Sequence, residues 1–177
     1  MSQNRPDWST WTTSLMMPRI VCVAIAMSCL IIGGLMASGI LGNLAPSASV
    51  MAYIFPAIGL VDLAASVFVP RLMPFPKISS PTKEVDGVFA KETVLADPKD
   101  ARQKFIGAHF TRFVVRLALG EGAALFGLVG FVAFGTPLPI SVGLCGIAFV
   151  ATLIAFPRTS DWKMKAEMKL GARFPEE

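Results

Sequence analysis

Four apolar stretches, at 20–41, 50–69, 113–134 and 140–156, decide what this chain can fold into. Each approaches the roughly 20 residues needed to cross the hydrocarbon of a bilayer. In lipid every backbone N–H and C=O must be paired within the chain, so such stretches are helices. Composition agrees. Of the 177 residues 54% are hydrophobic and 16% charged, where soluble domains average about 25% charged. Mean hydropathy is +0.62. The predicted fold is an all-α integral membrane protein, a bundle of four transmembrane helices. The first run is too long for the apolar core of a cleaved leader, about 7–15 residues, and reads as a retained helix.

The segments between the runs divide the chain. Residues 1–17 form a polar tail with Trp8 and Trp11, rings that favour a membrane–water interface. Residues 18–71 are a first transmembrane hairpin and 112–158 a second, with short uncharged turns at 43–49 and 135–139. Pro56 is expected to kink the second helix, and Pro70-Arg71 to end it. Residues 72–111 are the long polar loop. Its start, with Pro74, Pro76 and Pro81, is expected to be extended and irregular. Asp97-Pro98 followed by Asp100 marks a helix start. The amphipathic stretch 98–111 either lies in the interface or simply extends the third spanning helix. Residues 159–177 carry a short amphipathic helix through Leu170, capped by Thr159 or Ser160 and stopped at Gly171. Trp162, Met164 and Met168 with Lys163, Lys165 and Lys169 suit a surface of anionic lipid. A solvated tail is the plainer alternative.

All 16 Lys and Arg lie in the N-terminal tail and first-helix start, in 71–116, or after the fourth run. The positive-inside rule then puts both termini and the middle segment in the cytoplasm of a multi-pass protein. A bacterial inner membrane is the expected location. The net charge of +4 therefore implies no nucleic-acid partner. Arg19, Gly34 and Gly42 recur with the spacing of Arg112, Gly127 and Gly135, and Pro70-Arg71 is echoed by Pro157-Arg158. Two tandem hairpins from a duplication would explain this, as would chance recurrence of a common glycine. Under duplication Glu121 takes the place of Ser28.

Small residues mark candidate packing faces. Gly34, Ser38 and Gly42 recur every fourth residue, a pattern that admits close helix approach. Gly120, Ala123, Gly127 and Gly130 share a stripe with Arg116. Glu121 shares the other side of that helix with Leu117, Ala118, Ala124 and Leu125. The third helix thus offers two faces, one for its own bundle and one for a neighbouring subunit.

Chemistry is sparse. No phosphate loop, zinc motif or nucleophile elbow is present. Cys22, Cys29 and Cys145 all lie in apolar runs and offer neither a disulfide framework nor metal spacing. The single histidine, His109, sits at a helix edge. No catalytic residue, metal or cofactor is expected, and the chain does not read as an enzyme. What remains is two intramembrane acids, which in lipid are functional candidates by default. Asp62 lies nine residues before Arg71, and Glu121 nine after Arg112. Both carboxyls therefore sit about 13–14 Å from the same boundary, near mid-membrane. Equal depth on consecutive antiparallel helices makes a shared site plausible, in which one acid keeps a proton or a cation bridges the two. Arg116 is the third candidate, snorkelling to headgroups or reaching toward Asp62.

Glu121-Gly-Ala-Ala-Leu-Phe-Gly-Leu-Val129 resembles the carboxylate helix of the rotary ATPase proteolipid, the c subunit. That family's helix carries an acid, small or apolar residues, an aliphatic, an aromatic, then Gly-Leu-Val. The resemblance is confined to the third apolar run, and it implies that Glu121 takes the place of the ion-binding carboxylate. Two functions follow as expectations. One is a structural or assembly subunit of a membrane complex, its buried acids fixing helix pairing. The other is proton or small-cation binding and translocation through Glu121, assisted by Asp62. The expected partners are the lipid bilayer and other membrane subunits or further copies of the chain.

Overall fold

The computed structural model describes residues 10–41, 50–78, 80–86 and 91–174. It is mostly helical, with α1 (Trp11–Ser14), α2 (Met16–Ala37), α3 (Met51–Leu72), α4 (Pro98–Phe134), α5 (Leu138–Ile154) and α6 (Thr159–Leu170). Three helices, α2, α3 and α4, are long and apolar enough to cross a membrane. The shorter α5 joins them only if counted together with α6.

The all-α expectation needs correcting. Strands β1 (Thr82–Asp86) and β2 (Lys91–Leu95) form an antiparallel pair, Thr82 opposite Leu95 and Glu84 opposite Thr93. Arg173 adds a parallel bridge beside Val94, with Leu95 N donating to Arg173 O at 3.2 Å and Arg173 N to Thr93 O at 3.0 Å. Threonine and valine recur along both strands and suit a pleated, half-buried surface. The three prolines upstream masked that signal in the sequence.

Helix boundaries follow local chemistry. Asp97 Oδ1 accepts from Asp100 N at 3.0 Å, and Pro98 occupies the first position of α4. From there α4 runs unbroken to Phe134, so 98–111 extends the third apolar helix rather than forming a separate elbow. α6 stops at Gly171, whose φ of +64° suits a residue without Cβ. Its N-cap is Arg158, with no side-chain cap bond. Thr159 therefore does not cap it; the Thr159 hydroxyl accepts from Arg19 Nη2 at 2.8 Å instead. α3 continues through Pro70 to Leu72.

The chain divides into two compact units. The first gathers residues 1–19, 74–111 and 157–177, the segments that carry most of the basic residues. Its core is aromatic. Trp11 meets Phe174 edge-on at 5.0 Å and Phe105 at 6.5 Å. Phe105 stacks on His109, and His109 meets Trp162 edge-on at 4.6 Å. The Arg102 guanidinium lies over both Trp11 and Phe174. Trp11 and Trp162 are each 3% exposed. These two rings thus fill a protein core and do not present themselves to a membrane surface; Met164, Met168, Lys165 and Lys169 of α6 are exposed. Trp8 lies outside the described residues.

The second unit contains residues 20–73 and 112–156. A core of Cys29, Met36, Ala124, Phe131, Cys145 and Ala148 joins α2, α4 and α5. Its outer surface is apolar, with Ile31, Val61, Phe68, Ile147 and Ile154 exposed. Such a continuous apolar exterior suits lipid, not water.

Candidate functional site

Asp62, Thr136 and Ser141 lie on the α3–α4–α5 seam, and glycine sets that seam's spacing. A Cβ on Gly59 would lie 3.1 Å from Ala123 O, and one on Gly127 3.1 Å from Ser141 O. One on Gly130 would lie 2.6 Å from Thr136 Oγ1. Backbone therefore approaches backbone at Gly59 and Gly127, and at Gly130 the side chains of Thr136 and Phe55 close on the helix. Ala123, Gly127 and Gly130 of the predicted stripe are all buried there. Gly120, its fourth member, is buried too, yet a Cβ on it would meet nothing within 4 Å. It lines a cavity and makes no close approach.

The other predicted small-residue face lies elsewhere. Gly34 is exposed with open space at its Cβ position. Ser38 falls beyond the end of α2, its hydroxyl donating to Leu35 O at 2.9 Å. Gly42 lies outside the described residues. The close approach is made by Gly33, whose Cβ would lie 3.3 Å from Cys145 Cβ. The buried stripe of α2 is Cys22, Ala26, Cys29 and Met36, which a reading of small residues alone passes over.

Asp62 is half-buried, and its Oδ2 lies 2.9 Å from where a Cβ on Gly122 would be. Glu121 is also half-buried and lies near enough to Cys29 of α2 to interact with it electrostatically. Glu121 and Gly122 are consecutive and point about 100° apart on α4. Leu117 and Ala124, on the side of Glu121, are buried as well. Both faces of α4 are thus occupied within this chain, and only Ala118 and Leu125 of the Glu121 side are exposed. Arg116 is half-buried in the second unit, sharing a cavity of about 10 Å³ with Ser66, Leu117, Gly120, Ala151 and Thr152.

Buried hydroxyls are the residues that the sequence reading missed. Thr136 Oγ1 donates to Ala52 O at 2.7 Å, Ser66 Oγ to Leu63 O at 2.6 Å and Thr152 Oγ1 to Ala148 O at 2.9 Å. Cys22 Sγ donates to Thr152 O at 3.4 Å. One signal was available: a proline inside a helix frees a carbonyl four residues back, and Pro56 frees that of Ala52. At the ends of the helices two arginines bind the backbone. Arg19 donates from Nε to Pro157 O at 3.3 Å, and Arg112 Nη2 donates to Met73 O. Among the described residues no group of three or more His, Cys, Asp or Glu is placed to hold a metal ion. Comparison with protein-family models, with characterised proteins and with solved structures finds no match to this chain.

Proposed function

We propose that this chain is a four-span integral membrane protein, built as two hairpins, that serves as a structural or assembly subunit of a membrane complex. The closed α3–α4–α5 seam carries this reading. Close approach at Gly59, Gly127 and Gly130, to backbone at the first two and to the Thr136 and Phe55 side chains at the third, favours fixed helix pairing over the passage of a solute. The placement of the acids points the same way. Asp62 over Gly122 and Glu121 toward Cys29 put one carboxyl in each of two helix interfaces, an arrangement suited to holding helices together. The gathering of the basic segments 1–19, 74–111 and 157–177 into one unit is what a shared cytoplasmic side requires. The apolar exterior of α2, α3 and α5 then faces lipid and neighbouring subunits, in a bacterial inner membrane.

The second reading is proton or small-cation translocation through Glu121, assisted by Asp62. It rests on the mid-helix position of Glu121 and on the likeness of 121–129 to the proteolipid helix. One pair of variants separates the two. Glu121→Gln keeps shape and hydrogen bonding but cannot exchange a proton. As a structural residue, Glu121 tolerates this change, and only Glu121→Leu weakens the assembly in detergent. As an ion carrier, Glu121→Gln abolishes flux in reconstituted vesicles and leaves assembly intact. Loss of flux in the Gln variant would reverse the order of the two proposals.

A further inference from the structure

α3 contains two prolines, Pro56 and Pro70. Each lacks the N–H that would bond the carbonyl four residues earlier, so the carbonyls of Ala52 and Ser66 both lose a helical donor. In a membrane interior an unpaired carbonyl costs several kcal/mol. At Pro56 the replacement is direct, Thr136 Oγ1 to Ala52 O at 2.7 Å. For Pro70, a cavity lies beside Ser66 instead, with Arg116, Leu117, Gly120, Ala151 and Thr152 among its other walls.

Its volume of about 10 Å³ matches the space that one water molecule requires. Gly120 is buried, yet the space at its Cβ position is open, so it gives its side-chain volume to the cavity. The polar partners are also present. Arg116 brings donors and no acceptor. The hydroxyls of Ser66 and Thr152 already donate, to Leu63 O and Ala148 O, and keep lone pairs that accept. A buried water needs two to four partners of this kind.

We propose that this cavity binds a single water molecule that accepts from Arg116 and donates to the Ser66 carbonyl left open by Pro70. Arg116 is then a positioning residue for the second proline of α3, as Thr136 is for the first. The inference concerns helix pairing and holds under either function above.

The test fills the cavity. Gly120→Ala places a methyl in the cavity, too close to the water's position for both to fit. Alanine is the better helix former and meets no atom there, so without a water the variant is as stable as the native protein or more so. With a water it lowers the midpoint of unfolding in mixed micelles by several degrees. Gly120→Ser, whose hydroxyl takes the water's place, recovers most of that loss. A Gly120→Ala protein at or above the native midpoint overturns the proposal, as does a serine variant no better than the alanine one. A double-mutant cycle reads the carbonyl. Arg116→Met lowers the midpoint in the native background, and by less than half as much in Pro70→Ala, where residue 70 supplies the missing N–H. Equal losses in both backgrounds overturn the proposal. If Arg116→Met does not fold, the Gly120 pair decides alone.

Discussion

The Thr136 hydroxyl bonds the Ala52 carbonyl at 2.7 Å, and that carbonyl is the one Pro56 leaves without a donor. The turn after α4 thereby completes the hydrogen bonding of α3, an element more than sixty residues earlier. Thr136 N also donates to Gly130 O at 3.0 Å, which pins the turn itself. Removing the hydroxyl with Thr136→Val keeps the shape and strands the carbonyl. The expected cost is about 1–3 kcal/mol, read as a shift in SDS-induced unfolding in mixed micelles. Thr136→Ser retains the bond. Pro56→Ala restores a helical N–H and should absorb most of the valine penalty; additive losses would mean that the hydroxyl serves another partner.

Glycines on the seam and off it are expected to behave oppositely. Gly130→Ala pushes a methyl to 2.6 Å from Thr136 Oγ1 and 3.3 Å from Phe55 Cβ, which overpacks the site at about 1–3 kcal/mol. Gly146 is exposed with nothing within 4 Å of its Cβ position. Gly146→Ala is expected to be neutral or stabilising by about 0.5–1 kcal/mol. Thermal scans of both variants in one detergent check the contrast, and Gly127→Leu, directed at Ser141 O, is expected to prevent folding altogether.

In the first unit the test residue is Trp11. It is held edge-on to Phe174 and Phe105 and faced by Arg102. Trp11→Ala removes one of the two buried tryptophans of that core and is expected to cost about 3–5 kcal/mol. Limited proteolysis should then cut within 74–111 at protease levels the native protein resists. The second unit, which shares none of these contacts, should keep its resistance. Protection unchanged in the variant would show that Trp11 does not hold this unit together.

Orientation is checked by reporter fusions. Fusions ending at Asn43 and Gly135 are expected to report the outside, and those ending at Lys83 and Lys169 the cytoplasm, because Lys and Arg are absent from the first pair of segments and abundant in the second. A cytoplasmic signal from Asn43 would remove the two-hairpin topology.

Where hydrophobicity alone decides, the sequence was readable. The apolar runs at 20–41, 50–69 and 113–134 reappear as α2, α3 and α4, and the Asp97-Pro98 and Gly171 boundaries follow from single-residue chemistry. What stayed hidden depends on partners distant in the chain. Nothing near Trp11 says that Phe174 covers it. Nothing near Gly33 and Gly34 says which of the two faces Cys145, because adjacent glycines are equivalent until a neighbour is present. The 82–95 hairpin was obscured by prolines just before it. For the acids, sequence gives depth along a helix but not direction around it relative to other helices. Equal depth suggested one site; the structure puts Asp62 beside Gly122 and Glu121 within electrostatic reach of Cys29, neighbours that depth alone does not name.

The Trp11–Phe174 contact also carries a kinetic consequence. Phe174 follows Trp11 by 163 residues in the chain. At about 5–20 residues per second, Trp11 waits on the order of ten seconds or more for this ring. Helices α2 and α3 are made within that interval. The aromatic core cannot close until Phe174 has been added. A chain halted before it leaves Trp11 without its edge-on partner, so the first unit closes only after α6 has been made.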